Sequence, residues 1–292
     1  MFGLLNLNKP AGVTSRRVVD QVQRLVKPAK VGHAGTLDPL ASGVLVIGVG
    51  QATRLVEYVQ QMPKRYRARF LLGCTSDTED VEGEVLHLAD PPQPTVAQLQ
   101  QAAAGLIGQI AQRPPAYSAL KVAGRRAYKL ARAGREVELA PRPVRIDRLV
   151  ILAYEYPELD VEIVCGSGTY VRSLGRDLAE RLGTGAVMAA LERTAIGHFT
   201  IESAVDPAAL TRENLPQFLL PADAAVRDLM PMVTVTDDEV RRLANGQTIA
   251  CADQPAESCA AVDASGRLVA ILVRRDDGTF RPGKYFPAER SS

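Results

Sequence analysis

A chain of 292 residues with 46% hydrophobic side chains has room for one large domain and a small one, and it can fill a core, which excludes a disordered or fibrous protein. The formal net charge of +2 does not by itself demand a nucleic-acid partner, and with 5% aromatic residues and no Trp any base-stacking surface has to come from Tyr, Phe, His or Arg. Four cysteines without a CxxC pair and three scattered histidines without an HExxH pattern argue against a dedicated metal site, and no run approaches the roughly 20 apolar residues of a membrane span. The start, MFGLLNLNKP, lacks the basic residues and apolar core of a secretory signal, so a reduced, cytoplasmic protein is expected.

Gly3–Asn8 reads as a first strand that ends at Lys9-Pro10. A helix follows over Ser15–Val26, where Val18, Val19, Val22, Leu25 and Val26 share one face and Ser15 or Thr14 can cap it. Val31–Gly43, VGHAGTLDPLASG, is the stretch most committed to special backbone. Its three glycines permit positive φ or close approach, while Pro39 fixes its own φ and pushes Asp38 towards extended geometry, so Asp38 is expected at a fixed angle on a loop. Read alone, Leu-Asp-Pro is also an ordinary turn. Val44–Gly50 is a β-branched apolar run, a buried strand, and Thr53–Gln61 is a short amphipathic helix.

Lys64–Gly73 alternates strictly, with Tyr66, Ala68 and Phe70 on one face and Arg65, Arg67 and Arg69 on the other; basic residues in that pattern suit an edge strand. Asp77–Glu84 holds five acids and no base, and Arg113–Arg135 seven bases and no acid. These are either a cationic face for a polyanion with an acidic counterpart or two solvated segments. Glu84–Leu88 reads as a strand and Thr95–Leu106 as a capped helix. Within residues 124–134, GRRAYKLARAG, Arg125, Lys129 and Arg132 recur at spacings of four and three, one helical face that attracts phosphates. Strands follow at Val144–Ala153 and Asp160–Cys165. Gly166 and Gly168 then turn into a helix on which Tyr170, Leu174, Asp177, Leu178 and Leu182 repeat. Arg172 stands in its first turn, the unfavourable end of the helix dipole for a cation, so something else should hold it there. Beyond Pro221–Met230 a last unit contains a helix over Asp237–Asn245 and strands at Ala260–Asp263 and Leu268–Arg274, before a terminal GKYFP.

Four strings, GHAGTLDPLASG, KRYRAR, PPAYSALK and GTYVR, occur in the order found in the TruB family of tRNA pseudouridine synthases, and the chain resembles that family over essentially its whole length. Those enzymes isomerise the T-loop uridine at position 55 of tRNA. The resemblance implies an α+β fold: a pseudouridine synthase catalytic domain with a mixed, mostly antiparallel sheet over residues 1–230, a basic RNA-clamping insertion at about 113–142, and a small β-rich PUA-like RNA-binding domain over 231–292. It implies that Asp38 is catalytic, that Arg172 pairs with it, that Tyr66 faces the target base, and that His33 occupies the space a flipped uridine leaves. Tyr170 and Lys9 are expected to border the substrate, and Lys121, Arg125, Arg126, Lys129 and Arg132 to contact the RNA backbone. ALERTAIGHF matches an element packed beneath the active site, with Thr194 where a leucine is frequent.

A guanidinium beside Asp38 would favour the ionised carboxylate. The implied reaction breaks N1–C1′, turns the uracil over in the pocket, joins C5 to C1′ and releases the C5 proton. No group enters, so neither cofactor nor metal is expected. The uridine must first leave its stack, at a cost of a few kcal/mol. The expected protein is a cytoplasmic monomer whose partner is the T-stem and loop of tRNA, with no membrane and no obligate protein partner. Two other readings remain. One is a relative acting on another RNA in a guide-RNA complex, against which the compact N-terminus argues. The other is an RNA-binding or remodelling protein without turnover, against which the intact Asp38, Tyr66 and Arg172 argue.

Overall fold

Alternating apolar and polar residues give strands with one buried and one wet face, and in the computed structural model, which describes residues 1–118, 120–122, 125–126, 139–251 and 256–288, such strands carry most of the fold. In chain order they are β1 (Gly3–Lys9), β2 (Val31–His33), β3 (Ser42–Val49), β4 (Lys64–Leu72), the ribbon β5 (Cys74–Thr75) and β6 (Leu86–His87), β7 (Gly108–Gln112), the hairpin β8 (Lys121–Val122) and β9 (Arg125–Arg126), β10 (Arg142–Glu155), β11 (Glu158–Cys165), β12 (Ala186–Ile196) and β13 (Phe199–Thr200). Nine of them form one sheet in the order β1-β3-β12-β4-β11-β10-β7, with β2 on β3 and β13 on β12. All of its pairings are antiparallel except β3 with β12, where Ser42 and Gly43 meet Glu192 and Arg193. That parallel contact brings the loop ahead of β3 beside the middle of the sheet.

Helix α1 (Ser15–Val26) is capped by Thr14, whose hydroxyl accepts from the Arg17 amide, and it buries Val18, Val19, Val22 and Val26 against β1 and β3. The helix expected from Thr53 is shorter: Gly50–Leu55 is a 3₁₀ turn, begun by Gly50 at positive φ, and only Val56–Gln61 (α2) is α-helical. α3 (Val96–Ala104) carries a reciprocal cap between Thr95 and Gln98. It packs beside the Val171–Glu180 helix on one sheet face, where Leu99, Ala103, Leu174 and Leu178 meet Ala68, Phe70, Val161 and Ile163. Each buried Leu, Val, Ile or Phe among them contributes about 1.5–3 kcal/mol. Helix and sheet approach closely because position 175 is glycine; a Cβ there would collide with the Phe70 ring.

Two expectations need correction. β4 is a central strand between β12 and β11, not an edge. Its arginines face outward because the sheet is covered on that side by solvent, and Arg69 pairs across β11 with Asp160 and Glu158. Arg125 and Arg126 stand in β9, with Arg126 opposite Lys121, so Arg125 does not begin a helix. Lys129 and Arg132 lie outside the described residues.

The last unit adds a four-stranded sheet, β14 (Met232–Thr234), β15 (Ser258–Val262), β16 (Leu268–Arg274) and β17 (Phe280–Tyr285), and the Asp237–Ala244 helix. β14, parallel to β15, was not anticipated from the sequence. Ala260, Leu268, Ile271 and Phe286 share one apolar cluster with Leu4, Val44 and Val46 of the large sheet. Among the described residues no helix is long and apolar enough to cross a membrane.

Candidate active site

The loop between β2 and β3 carries Asp38, and three side chains fix it from different elements. Ser15, at the start of α1, donates its hydroxyl to the Leu37 carbonyl at 3.0 Å and accepts from the Leu37 amide at 2.9 Å. Lys9, fully buried at the end of β1, donates to the carbonyls of Val13 (2.5 Å), Pro10 (2.9 Å) and Pro39 (3.4 Å). Burial lowers the Lys9 pKa to about 8, against the opposing pull of Asp38. Arg193, in β12 and 2% exposed, donates Nε to the Val44 carbonyl at 2.7 Å and Nη2 to the Gly35 carbonyl at 3.1 Å. Gly43 completes the loop at φ 103°, where a Cβ would run into the Arg193 backbone.

Asp38 is ion-paired to Arg172, Nε to Oδ2 at 3.0 Å, with the carboxylate 38% exposed and the arginine only 6%. The rest of the Arg172 guanidinium is occupied. Nη1 donates to the Thr78 carbonyl at 2.6 Å and lies 3.5 Å from the buried Asp80 carboxylate, and Nη2 donates to the Tyr117 carbonyl at 3.2 Å. These contacts answer why a cation tolerates the first turn of a helix. Asp80 is itself held, accepting from the Thr78 hydroxyl at 2.6 Å and the Glu82 amide at 3.1 Å.

Asp38 and Arg172 border a cavity of about 380 Å³, also lined by Lys64, Tyr66, Tyr117, Tyr170, Leu191 and Arg193, a size suited to one nucleoside-scale group. Tyr66 and Arg193 are cross-strand partners on β4 and β12. Burial raises the Tyr66 phenol above its ordinary pKa, so it stays neutral as a donor and a flat surface. Lys64 donates to the Gln60 carbonyl, and burial lowers it to about 8. Tyr170 is clasped through its backbone by the buried Gln112 side chain, at 2.8 and 3.1 Å, with the Arg142 guanidinium 4.8 Å over its ring.

Asp38, Tyr66, Tyr170 and Arg172 are thus brought together as expected, and Lys9 lies beneath the loop. His33 is not in this cavity. It lines a separate open groove with Arg54, Glu57 and Lys284, and burial lowers its pKa. Thr194 alternates away from the cavity on β12 and bonds the Arg65 carbonyl at 3.3 Å, while Leu191 faces in. Lys121, Arg125 and Arg126 are placed by backbone in the β8–β9 hairpin. The sequence reading had Arg193 only as the arginine of the Leu-x-Arg-x-x-x-Gly element in ALERTAIGHF, with no contact assigned to it, and did not single out Asp80. Arg193 was findable as an inward position of an otherwise apolar alternation, Leu191, Arg193, Ala195. Asp80 was hidden in an acidic run open to reading as a solvated turn, but it is 4% exposed.

The chain matches the family model "TruB family pseudouridylate synthase (N terminal domain)" over residues 23–171, "tRNA pseudouridylate synthase B C-terminal domain" over 172–227, and "tRNA Pseudouridine synthase II, C terminal" over 230–287. It is 43% identical over 288 residues to the tRNA pseudouridine synthase B of Mycobacteroides abscessus, covering 95% of this chain and 94% of that one. With the tRNA pseudouridine synthase B of Dehalococcoides mccartyi it shares 41% identity over 292 residues, 98% of this chain and 97% of the other. Among solved structures it resembles an H/ACA RNP bound to a substrate RNA containing 2′-deoxyuridine, with TM-score 0.75 and 23% identity over 98% of this chain and 86% of that one. A Cbf5-Nop10-Gar1 complex gives TM-score 0.72 and 26% identity over 94% and 78%.

Proposed function

We infer, from the premise that the chain belongs to the TruB family of pseudouridylate synthases, that it is an isomerase converting uridine to pseudouridine in tRNA. The target we propose is the T-loop uridine at position 55, bound through the T-stem and loop. The observation that supports this reading most directly is Asp38: a half-exposed carboxylate on an immobilised loop, ion-paired at 3.0 Å to a buried arginine at the mouth of a nucleoside-sized cavity.

The geometry supports the following course for the reaction. The uridine flips out of the RNA, at a cost of a few kcal/mol that contacts in the cavity offset. Tyr66 and Leu191 offer flat and apolar surfaces to the uracil, and Tyr170 borders the nucleoside. Asp38, ion-paired to Arg172, acts at the nucleoside while N1–C1′ breaks. Its loop is held by Lys9, Ser15 and Arg193, so the reacting oxygen is pre-positioned without reorganisation. The base turns within the cavity, C5 joins C1′, and the C5 proton leaves. His33, in the neighbouring groove, takes the space the uridine vacates. Lys121, Arg125, Arg126, Lys129 and Arg132 meet backbone phosphates. We assign residues 1–230 to catalysis, with a clamping insertion at about 113–142, and 231–292 to a PUA-like RNA-binding module; the enzyme works in the cytoplasm as a monomer, with no obligate protein partner.

Tritium release from tRNA labelled at uridine C5 tests this reading, with binding measured in parallel. The wild type should release tritium, while Asp38→Asn should bind tRNA and release none. Binding without release by either protein would leave an RNA-binding protein, and release by both would move catalysis to another carboxylate.

A further inference from the structure

The Val171–Glu180 helix carries a second arginine one turn beyond Arg172. Arg176 is 15% exposed, forms an ion pair with the Glu79 carboxylate, and donates from Nη2 to the Arg113 carbonyl at 2.8 Å and to Asp177 Oδ1 at 2.7 Å. Glu79 is equally sheltered, and its other oxygen accepts from the Ser173 hydroxyl at 2.6 Å. Its φ is 60°, a left-handed conformation that a side-chain-bearing residue holds only when its surroundings enforce it. The neighbours of Glu79 are the groups that grip Arg172: the Thr78 carbonyl before it and the Asp80 carboxylate after it. The turn therefore straddles the helix, with 78 and 80 on Arg172 and 79 on Arg176 and Ser173. The same two arginines also reach both ends of the segment that leads into the β8–β9 hairpin, Arg176 at Arg113 and Arg172 at Tyr117. Glu79, Ser173 and Arg176 do not line the Asp38 cavity.

We propose that Glu79, Ser173 and Arg176 are positioning residues: by enforcing the left-handed turn they set the Arg172–Asp38 pair, and through Arg113 they tie the seating of the 113–122 segment on RNA to that pair. The inference rests on the proposed isomerase function. Both Glu79 oxygens are held, so weakening either hydrogen bond lets the turn relax. Relaxation withdraws the Thr78 carbonyl and Asp80 from Arg172 together.

The test compares Glu79→Gln, Arg176→Lys, Arg176→Met and the double variant Glu79→Gln/Arg176→Met with the wild type, in single-turnover tritium release at saturating tRNA. tRNA affinity and thermal midpoint are measured alongside. Glu79→Gln should slow the chemical step by about 10- to 100-fold, the scale of a misplacement of roughly 1 Å, with a smaller loss of tRNA affinity than of rate. Arg176→Lys should recover part of the rate that Arg176→Met forfeits, and the double variant should be no slower than the worse single one, since the residues act as a unit. Wild-type rates in the variants, reductions that follow only the folded fraction, or reductions that multiply in the double variant would overturn the proposal. Hydrogen exchange gives a readout without turnover. In Glu79→Gln the amides of 78–80 and those of Arg113, Ala116 and Tyr117 should loosen together, and unchanged exchange at these last three would also overturn it. A wild type that releases no tritium would defeat the isomerase reading instead, leaving the exchange result to judge the coupling.

Discussion

Arg193 is bound to its site by two backbone carbonyls, Val44 at the start of the strand that follows the Asp38 loop and Gly35 within the loop itself. Removing the guanidinium leaves the buried Val44 carbonyl and the part-buried Gly35 carbonyl without this donor, so Arg193→Met should lower the unfolding free energy by about 1–3 kcal/mol or somewhat more. Denaturant titration checks this, with a lower midpoint at unchanged slope as the expected outcome. The same variant should slow isomerisation more than it weakens tRNA binding, because both carbonyls belong to the backbone that aims Asp38. Lys9 yields a prediction with a sign. Its pKa falls from 10.5 to about 8 on folding, so between those values the unfolded chain holds more protons than the folded one, and stability rises with pH across that window. Lys64 contributes a second rise in the same range. Lys9→Met should flatten the increase in unfolding free energy between pH values of about 8 and 10 without abolishing it, and an unchanged slope would mean that Lys9 titrates normally.

At the scale of elements, local pattern and long-range pairing part company. The alternation in Lys64–Leu72 separates inward Tyr66, Ala68 and Phe70 from outward arginines, and the structure agrees residue for residue. Alternation reports faces, however, and not neighbours, and the place of β4 in the middle of the sheet is set by pairings with strands about 90 to 130 residues away. The same holds for the site. The fixed loop of Asp38 was legible locally from its glycines and proline, and the odd placement of Arg172 from the helix dipole, while the pairing of the two was implied only by the family resemblance. Ser15 and Arg193 act through carbonyls remote in sequence, and Lys9 adds Pro39 to its near neighbours Pro10 and Val13; a local pattern can mark such a residue as inward but does not encode its distant partner. In the basic segment the spacing of Arg125, Lys129 and Arg132 suggested a helical face, and strand pairing overrides that for Arg125. Charge does not depend on that geometry. Neutralising Arg125, Lys129 and Arg132 together should weaken tRNA binding and reduce the slope of log K against log salt by about 1 for each phosphate that is no longer neutralised. An unchanged slope would remove this segment from the RNA-binding face.

At the scale of the whole molecule, one apolar cluster spans the boundary near residue 230. Phe286, fully buried, stacks on Phe2 at 5.6 Å between ring centroids, with the Arg54 guanidinium 5.1 Å from its ring. Lys284 fastens the seam, donating to the Arg54 carbonyl at 2.8 Å, pairing with Glu57 and lying 4.7 Å over the Tyr58 ring. Arg54 closes the loop by donating to the Tyr285 carbonyl at 2.7 Å. This seam borders the groove that holds His33, so the last sheet fixes one wall of a surface next to the candidate active site. A unit joined in this way cannot unfold without uncovering Leu4, Val44 and Val46 of the large sheet. Phe286→Ala, which empties the centre of the seam, should therefore cost about 3–5 kcal/mol. Calorimetry should show the destabilisation as a single transition at a lower midpoint, because both sheets melt together. A small early transition followed by an unshifted main one would instead mean that the last unit folds as an independent module, and the rest of the chain would then retain its stability without it.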